Sequence, residues 1–216
     1  MLNSKYARGI VICWICFLLL GVCLVITGSA SPYNIYAEET AIDYDELIEA
    51  STNEREVYFD IQSLACKVGN QTILDETVTE IQRCNAEIRA YQKAASISEK
   101  EITLIAKTVG LEARGNTYEQ KAMVAWCILN RVDCNYNGQT TITEVVTAPS
   151  QFAYHWWNSV VAEDYQVARD VVLQWCLENE GLEANRLLPS QYIFFWGDGR
   201  NNHFTTGVNA TGIQYN

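Results

Sequence analysis

A helical period that keeps stopping and restarting limits how this chain can fold more than any other feature. Val57, Ile61, Leu64 and Val68 recur at spacings of four and three, as do Leu74, Val78, Ile81, Asn85 and Ile88. Such spacing lays one stripe along an α-helix. Between the two runs lies "GNQT", residues 69–72, where Gly69 can stop one helix and Thr72 can cap the next. An antiparallel helical hairpin or short coiled coil is expected. Cys66 would then face the region of Leu74. At a rise of ~1.5 Å per residue it is too far from Cys84 to bridge it.

The same rhythm continues toward the C-terminus. Ser98 followed by Glu101 is a capping-box signature before "ITLIAKTVGLE". Thr117 and Gln120 repeat it before a helix whose buried face would be Ala122, Ala125, Trp126, Leu129 and Val132. Thr141 with Glu144 would start a short third helix after the turn-rich "CNYNGQTT". "PSQFAYHWWNS" is irregular and aromatic. In "EDYQVARDVVLQWCLENEG", Ala168, Val171, Val172 and Trp175 point inward, and Gly181 ends the helix. "QYIFFWGDGRNNHFTTG" suits a short hairpin or small sheet. The fold class expected is mainly α with a small β-sheet (α+β). A hydrophobic share of 49% and only 3 prolines exclude a disordered chain.

The first residues stand apart. Lys5 and Arg8 precede "GIVICWICFLLLGVCLVITG", and no further charge appears until Glu38. This reads as an export signal, with small-residue cleavage sites ending at Ala30 or Ala37, or as an uncleaved membrane anchor. Either way the flanking positive charge places residues 38–216 outside. Three parts result: 1–37, a signal or anchor; 38–97, an acidic helical stalk; and 98–216, a globule. With 15 basic against 26 acidic residues, nucleic acid is not an expected partner. Val22 before Cys23 spoils a lipid-attachment box, and "CWIC" at 13–16 lies inside the apolar segment. The five cysteines beyond it, Cys66, Cys84, Cys127, Cys134 and Cys176, match no zinc spacing. No metal and no cofactor is expected.

Glu112 is the first candidate for chemistry. It falls on the last turn of a helix, just before the break at Gly115 and Asn116. Burial and the helix C-terminus both disfavour the carboxylate anion, and a carboxyl kept protonated suits a general acid. The alternative is a structural Glu paired with Arg114 or Arg131. Aromatic groups come second: Tyr154, Trp156, Trp157, Tyr192, Phe194, Phe195 and Trp196 cluster in irregular segments. Flat ring faces suit the apolar faces of sugars, whereas core packing must claim some of them. A cysteine–histidine site drawing on His155 or His203 lacks the electropositive setting that a thiolate needs.

The order of blocks then matters. "LEARGNTYEQKAMVAWCILNRV", followed by "ITEVVTAPSQF", a helix and "YIFFWGDGRNNHF", resembles the cell wall hydrolase family of spore cortex-lytic enzymes. The resemblance covers residues 99–206. It implies a fold related to lysozyme-like lytic transglycosylases and action on peptidoglycan glycan strands between N-acetylmuramic acid and N-acetylglucosamine. It places the catalytic glutamate at Glu112, matches Gln151 and Phe152 to a "QF" block, and matches His203 and Phe204 to a closing block. With the aromatic cluster, the expected substrate-binding set is Gln151, Phe152, Tyr154, Tyr192, Phe194, Trp196 and His203. Asn116 stands where the family commonly has a second Glu. Acidic helices replace a peptidoglycan-binding repeat, which points to a vegetative or mobile-element wall enzyme. Other readings are a hydrolytic muramidase or glucosaminidase, with Asp133, Glu144 or Asp198 as second carboxyl, and a non-catalytic wall-binding protein. Expected partners are glycan strands and, if the N-terminal segment is retained, the outer face of the membrane.

Overall fold

A computed structural model describes residues 42–155, 157 and 159–207. The segment expected as signal or anchor lies outside the described residues, as does Trp156. Among the described residues no helix is long and apolar enough to cross a membrane.

Helices α1, Tyr44–Val68, and α2, Gln71–Ser96, form the expected antiparallel hairpin. Asp43 caps α1 by accepting the Glu46 N–H. Gly69 ends it at φ 66, with its own N–H on the Cys66 carbonyl and that of Asn70 on the Ala65 carbonyl. The cap of α2 is Asn70 rather than Thr72: its Oδ1 accepts the Ile73 N–H at 3.3 Å. The turn is tighter than expected, so Thr72 already lies inside the helix.

The periodic row of α1 is not the hairpin seam. Val57, Leu64 and Val68 are exposed. The seam runs along Ser51, Tyr58 and Ala65, opposite Thr77, Ile81, Cys84 and Ile88 of α2. Small side chains let the two helices approach, and polar links close the contact. Ser51 donates to Glu87 at 3.0 Å, Arg55 to Asn85 at 3.1 Å, and Arg83 to Glu54, Glu80 and Glu87. Glu54, Glu87 and Cys84 present ligand-type atoms close together. Arg83 already neutralises this pair of acids, and burial pushes the Cys84 thiol up to about 11.

Toward its C-terminus α2 enters the main core through Ala90 and Ala94. Ser98 and Glu101 form the expected capping box of α3, Glu99–Glu112. Helix α4, Tyr118–Asp133, is central: α3, α5 (Ile142–Thr147) and α6 (Ala162–Asn179) pack around it. It therefore buries more than one face, since Ala122, Val124, Ala125, Trp126, Cys127, Ile128 and Leu129 all lose their exposure. Val132 is only partly buried. Thr117 occupies the N-cap position of α4 without a side-chain bond. Gln120, expected to complete that box, instead accepts the Asn202 N–H at 2.9 Å. Thr141 and Glu144 do box α5. In α6 the inward residues are those expected, and Gly181 follows at φ 78. Strands β1, Phe194–Gly197, and β2, Asn202–Thr205, make one antiparallel pair in which Trp196 faces His203 and Gly197 faces Asn202.

Candidate active site

Glu112 is the last residue of α3, followed by Ala113 as C-cap and by a turn through Gly115 at φ 73. A helix end leaves carbonyls without partners, and here one of them is claimed from far along the chain. The Glu112 carbonyl accepts from Asn202 Nδ2 at 2.9 Å. The Glu112 side chain is tied separately, its Oε1 accepting the Ala153 N–H. So β2 holds the backbone of this residue, and the loop after α5 holds its carboxyl. Arg114 is exposed, and Arg131 is engaged with other acceptors. The pairing of Glu112 with either arginine is not what the structure forms.

That loop is set by Arg131, which is 4% exposed. Its Nη1 donates to Gln151 Oε1 at 3.0 Å and its Nε to the Ile193 carbonyl at 2.7 Å. Its guanidinium carbon lies 4.5 Å from the Phe152 ring centre, with Tyr136 and Phe194 also within cation–π reach. The residue before it, Asn130, is fully buried and donates to the Pro189 and Tyr192 carbonyls, while its Oδ1 accepts from Arg186. These two neighbours on α4 thus bracket both the "QF" loop and the approach to β1. A buried polar side chain is retained only when its bonds are met, and each of these meets several.

A second bracket meets α3 at Gly110, just before Glu112. Lys121 is 5% exposed and bridges Glu163 and Asp164 of α6, each at 2.9 Å. Burial opposes the charge on Lys121, but the two carboxylates outweigh it and its pKa is raised. Asp164 presses against Gly110: a Cβ there would come within 2.4 Å of its Oδ2. A side chain at Gly110, two residues before Glu112, would push the Asp164 carboxylate out of its place beside Lys121.

The aromatic residues divide by strand alternation. Phe195 and Phe204 face each other across the sheet at 5.4 Å, with Phe152 at 6.1 Å from Phe195, and all three pack on the core. Trp196 and His203 stack at 4.3 Å on the opposite side of the strands. Phe194 meets the Tyr136 ring edge-on. Tyr154 and Tyr192 are partly buried against the core. His155 and Trp157 stack at 4.7 Å on the loop that holds the Glu112 carboxyl. Gln151 and Phe152 are thus bound to Arg131 and build the loop, and Trp196 and His203 are the expected site residues with their rings stacked on the sheet's outer side.

Three acids were candidates for a second carboxyl, and each is engaged elsewhere. Asp133 accepts the Trp175 indole N–H on both oxygens, and burial raises its pKa in spite of that bond. Glu144 is held low by the Thr140 N–H and the other bonds of its capping box. Asp198 closes the β-turn by accepting the Asn201 and Arg200 N–H groups and pairs with His203 at 2.8 Å. These bonds, that of Asn201 foremost, hold its carboxyl well below the usual range. Cys127 is fully buried in the core, and burial pushes its thiol up to about 12.

Asn202, Arg131, Asn130 and the Gly110–Asp164–Lys121 contact were not singled out by the sequence as parts of the site. Asn202 lies inside the closing "NNHF" block, but neighbouring His203 carried the more obvious chemistry. A charged residue on the last turn of the helix, closing the apolar run "WCILNRV", was the available signal for Arg131.

No curated protein and no solved structure matches this chain. Residues 115–208 match the model of a family described as Cell Wall Hydrolase. The match starts just beyond Glu112 and takes in Arg131, the "QF" loop and both strands. The residues that clasp Glu112 therefore belong to a Cell Wall Hydrolase domain, which this chain carries over residues 115–208.

Proposed function

We propose that residues 98–216 form a peptidoglycan-cleaving domain of lysozyme-like type, acting outside the cell, with residues 1–37 as its export signal or anchor. The bond cut is the one between N-acetylmuramic acid and N-acetylglucosamine, and Glu112 is the catalytic residue. The observation that carries this reading is the clasp on Glu112. Its backbone and its carboxyl are held by two separate segments, whereas the three other acids considered are bound up in caps, a turn or an indole bond.

Among these four described acids Glu112 is the one left available, which favours a lytic transglycosylase over a hydrolase that needs two. Glu112 as acid protonates the glycosidic oxygen as the C–O bond breaks. As base it then takes the proton from the muramic 6-hydroxyl, whose oxygen closes the 1,6-anhydro ring. No water is consumed, and the carboxyl ends in its starting state. Tyr154, Tyr192, Phe194 and the Trp196–His203 stack are the proposed sugar-binding surface, with Gln151 and Phe152 shaping the loop beside it.

Mass spectrometry of glycan strands cut by the full chain tests the mechanism. Fragments lighter by one water at the muramic end, unlabelled by borohydride, are expected. Reducible muramic ends would instead show hydrolysis and require a second carboxylate.

A further inference from the structure

The outer half of α1 carries an apolar row that its own hairpin leaves uncovered. Val57, Leu64 and Val68 are 44%, 61% and 75% exposed, and Ile61 in the same row is partly covered. Scattered exposed apolar residues are ordinary, but a row at strict four-three-four spacing is the pattern of a helix–helix seam. The seam to α2 already runs along Ser51, Tyr58 and Ala65, so this row is a second one, offset around the helix.

Charge along α1 changes where the row begins. Residues 43–56 carry Asp43, Asp45, Glu46, Glu49, Glu54 and Glu56 against Arg55 alone, whereas residues 57–68 carry only Asp60 and Lys67. Both are exposed. Spaced seven apart, they fall on one line along the edge of the apolar row that is further from α2.

We propose that this face pairs with a second copy of the chain, antiparallel, over residues 57–68. A register that sets Val57 against Val68 of the second copy, and Ile61 against its Leu64, also brings Asp60 beside its Lys67. Two-fold symmetry then repeats that ion pair. A parallel pairing would instead lay the two acidic 43–56 stretches side by side, and like charges repel. The charge asymmetry of α1 thus selects the orientation. Contact between so few residues falls short of the ~1,200 Å² of a standard stable interface, so the pairing is weak and concentration-dependent. With ~1.5 Å rise per residue, it sets the starts of the two α1 helices roughly 55 Å apart. On the wall-cutting reading above, this gives a two-headed enzyme that gains avidity on a repeating polymer. The pairing itself does not depend on that reading.

Sedimentation equilibrium of the full chain in mild non-ionic detergent tests it, with helicity followed by circular dichroism. Wild type should move from monomer toward dimer as concentration rises. Leu64→Lys and Asp60→Lys should each weaken association at least tenfold with helicity unchanged, since both sites are exposed. Asp60→Lys combined with Lys67→Asp should restore it. Glu112→Gln should pair like wild type whether or not it cuts glycan, which separates this proposal from the enzymatic one. A mass that stays monomeric, or association indifferent to Leu64→Lys, would overturn the pairing. So would a double variant that fails to recover. If the chain is monomeric and Leu64→Lys instead loses binding to purified sacculi, the face belongs to the wall.

Discussion

The hairpin and the region around Glu112 are both helical at base, yet they are held together differently. In the hairpin, small residues line the seam, and the ion pairs of Arg83 and Arg55 sit at least partly in water. Around Glu112, buried polar side chains reach across the fold: Lys121 to α6, Arg131 and Asn130 to the segment before β1, and Asn202 to the end of α3. Exposed pairs contribute about 0–1 kcal/mol each, whereas breaking a buried one costs about 3–5 kcal/mol. The same residue types are therefore replaceable in one region and critical in the other.

The largest break should come from Lys121→Met, which strands Asp164 beside Gly110 without its cation. Thermal unfolding should show a loss of about 3–5 kcal/mol. A loss under 1 kcal/mol would mean that the bracket is not holding the helices. Asn202→Ala should come next. It leaves the Glu112 carbonyl without its donor, at about 1–3 kcal/mol, and steady-state kinetics should show kcat falling while KM changes little. An unchanged kcat would remove Asn202 from the positioning of Glu112.

Effects in the hairpin should be smaller. Arg55→Ala loses its bonds to Asn85 and Glu56 and should cost about 1 kcal/mol or less in a urea melt. The smallest effect concerns Asp198. Its carboxyl is held below the ordinary value of 3.8, so the stability it gives the β1–β2 turn is present above that value and is lost as pH falls below it. The protection of the Arg200 and Asn201 amides, taken relative to their intrinsic exchange rates, should fall on acidification, and Asp198→Asn should abolish that dependence.

How far the sequence could be read follows the same division. Local chemistry was legible: the boxes at Ser98–Glu101 and Thr141–Glu144 depend on residues three apart, and both form. Thr117–Gln120 carries the same signature and fails because Gln120 is taken by Asn202, a partner that no local pattern contains. In the hairpin the helices were legible, and so was part of the α2 face, since Ile81 and Ile88 of its apolar row are buried in the seam, but the α1 face was not. Ser51, Ala65, Thr77 and Cys84 complete the seam, and an apolar period cannot see them. Glu112 was visible as an acid at a broken helix end. Its two tethers were not, because each comes from residues far along the chain.

Turnover of purified peptidoglycan by Glu112→Gln, measured beside its melting temperature, tests the central claim most directly. The amide keeps the side-chain volume and removes the proton chemistry. General acid–base groups supply ~10²–10⁴ in rate, so turnover should fall by at least that much while the protein stays folded. A folded Glu112→Gln chain that cuts glycan at the wild-type rate would contradict the account.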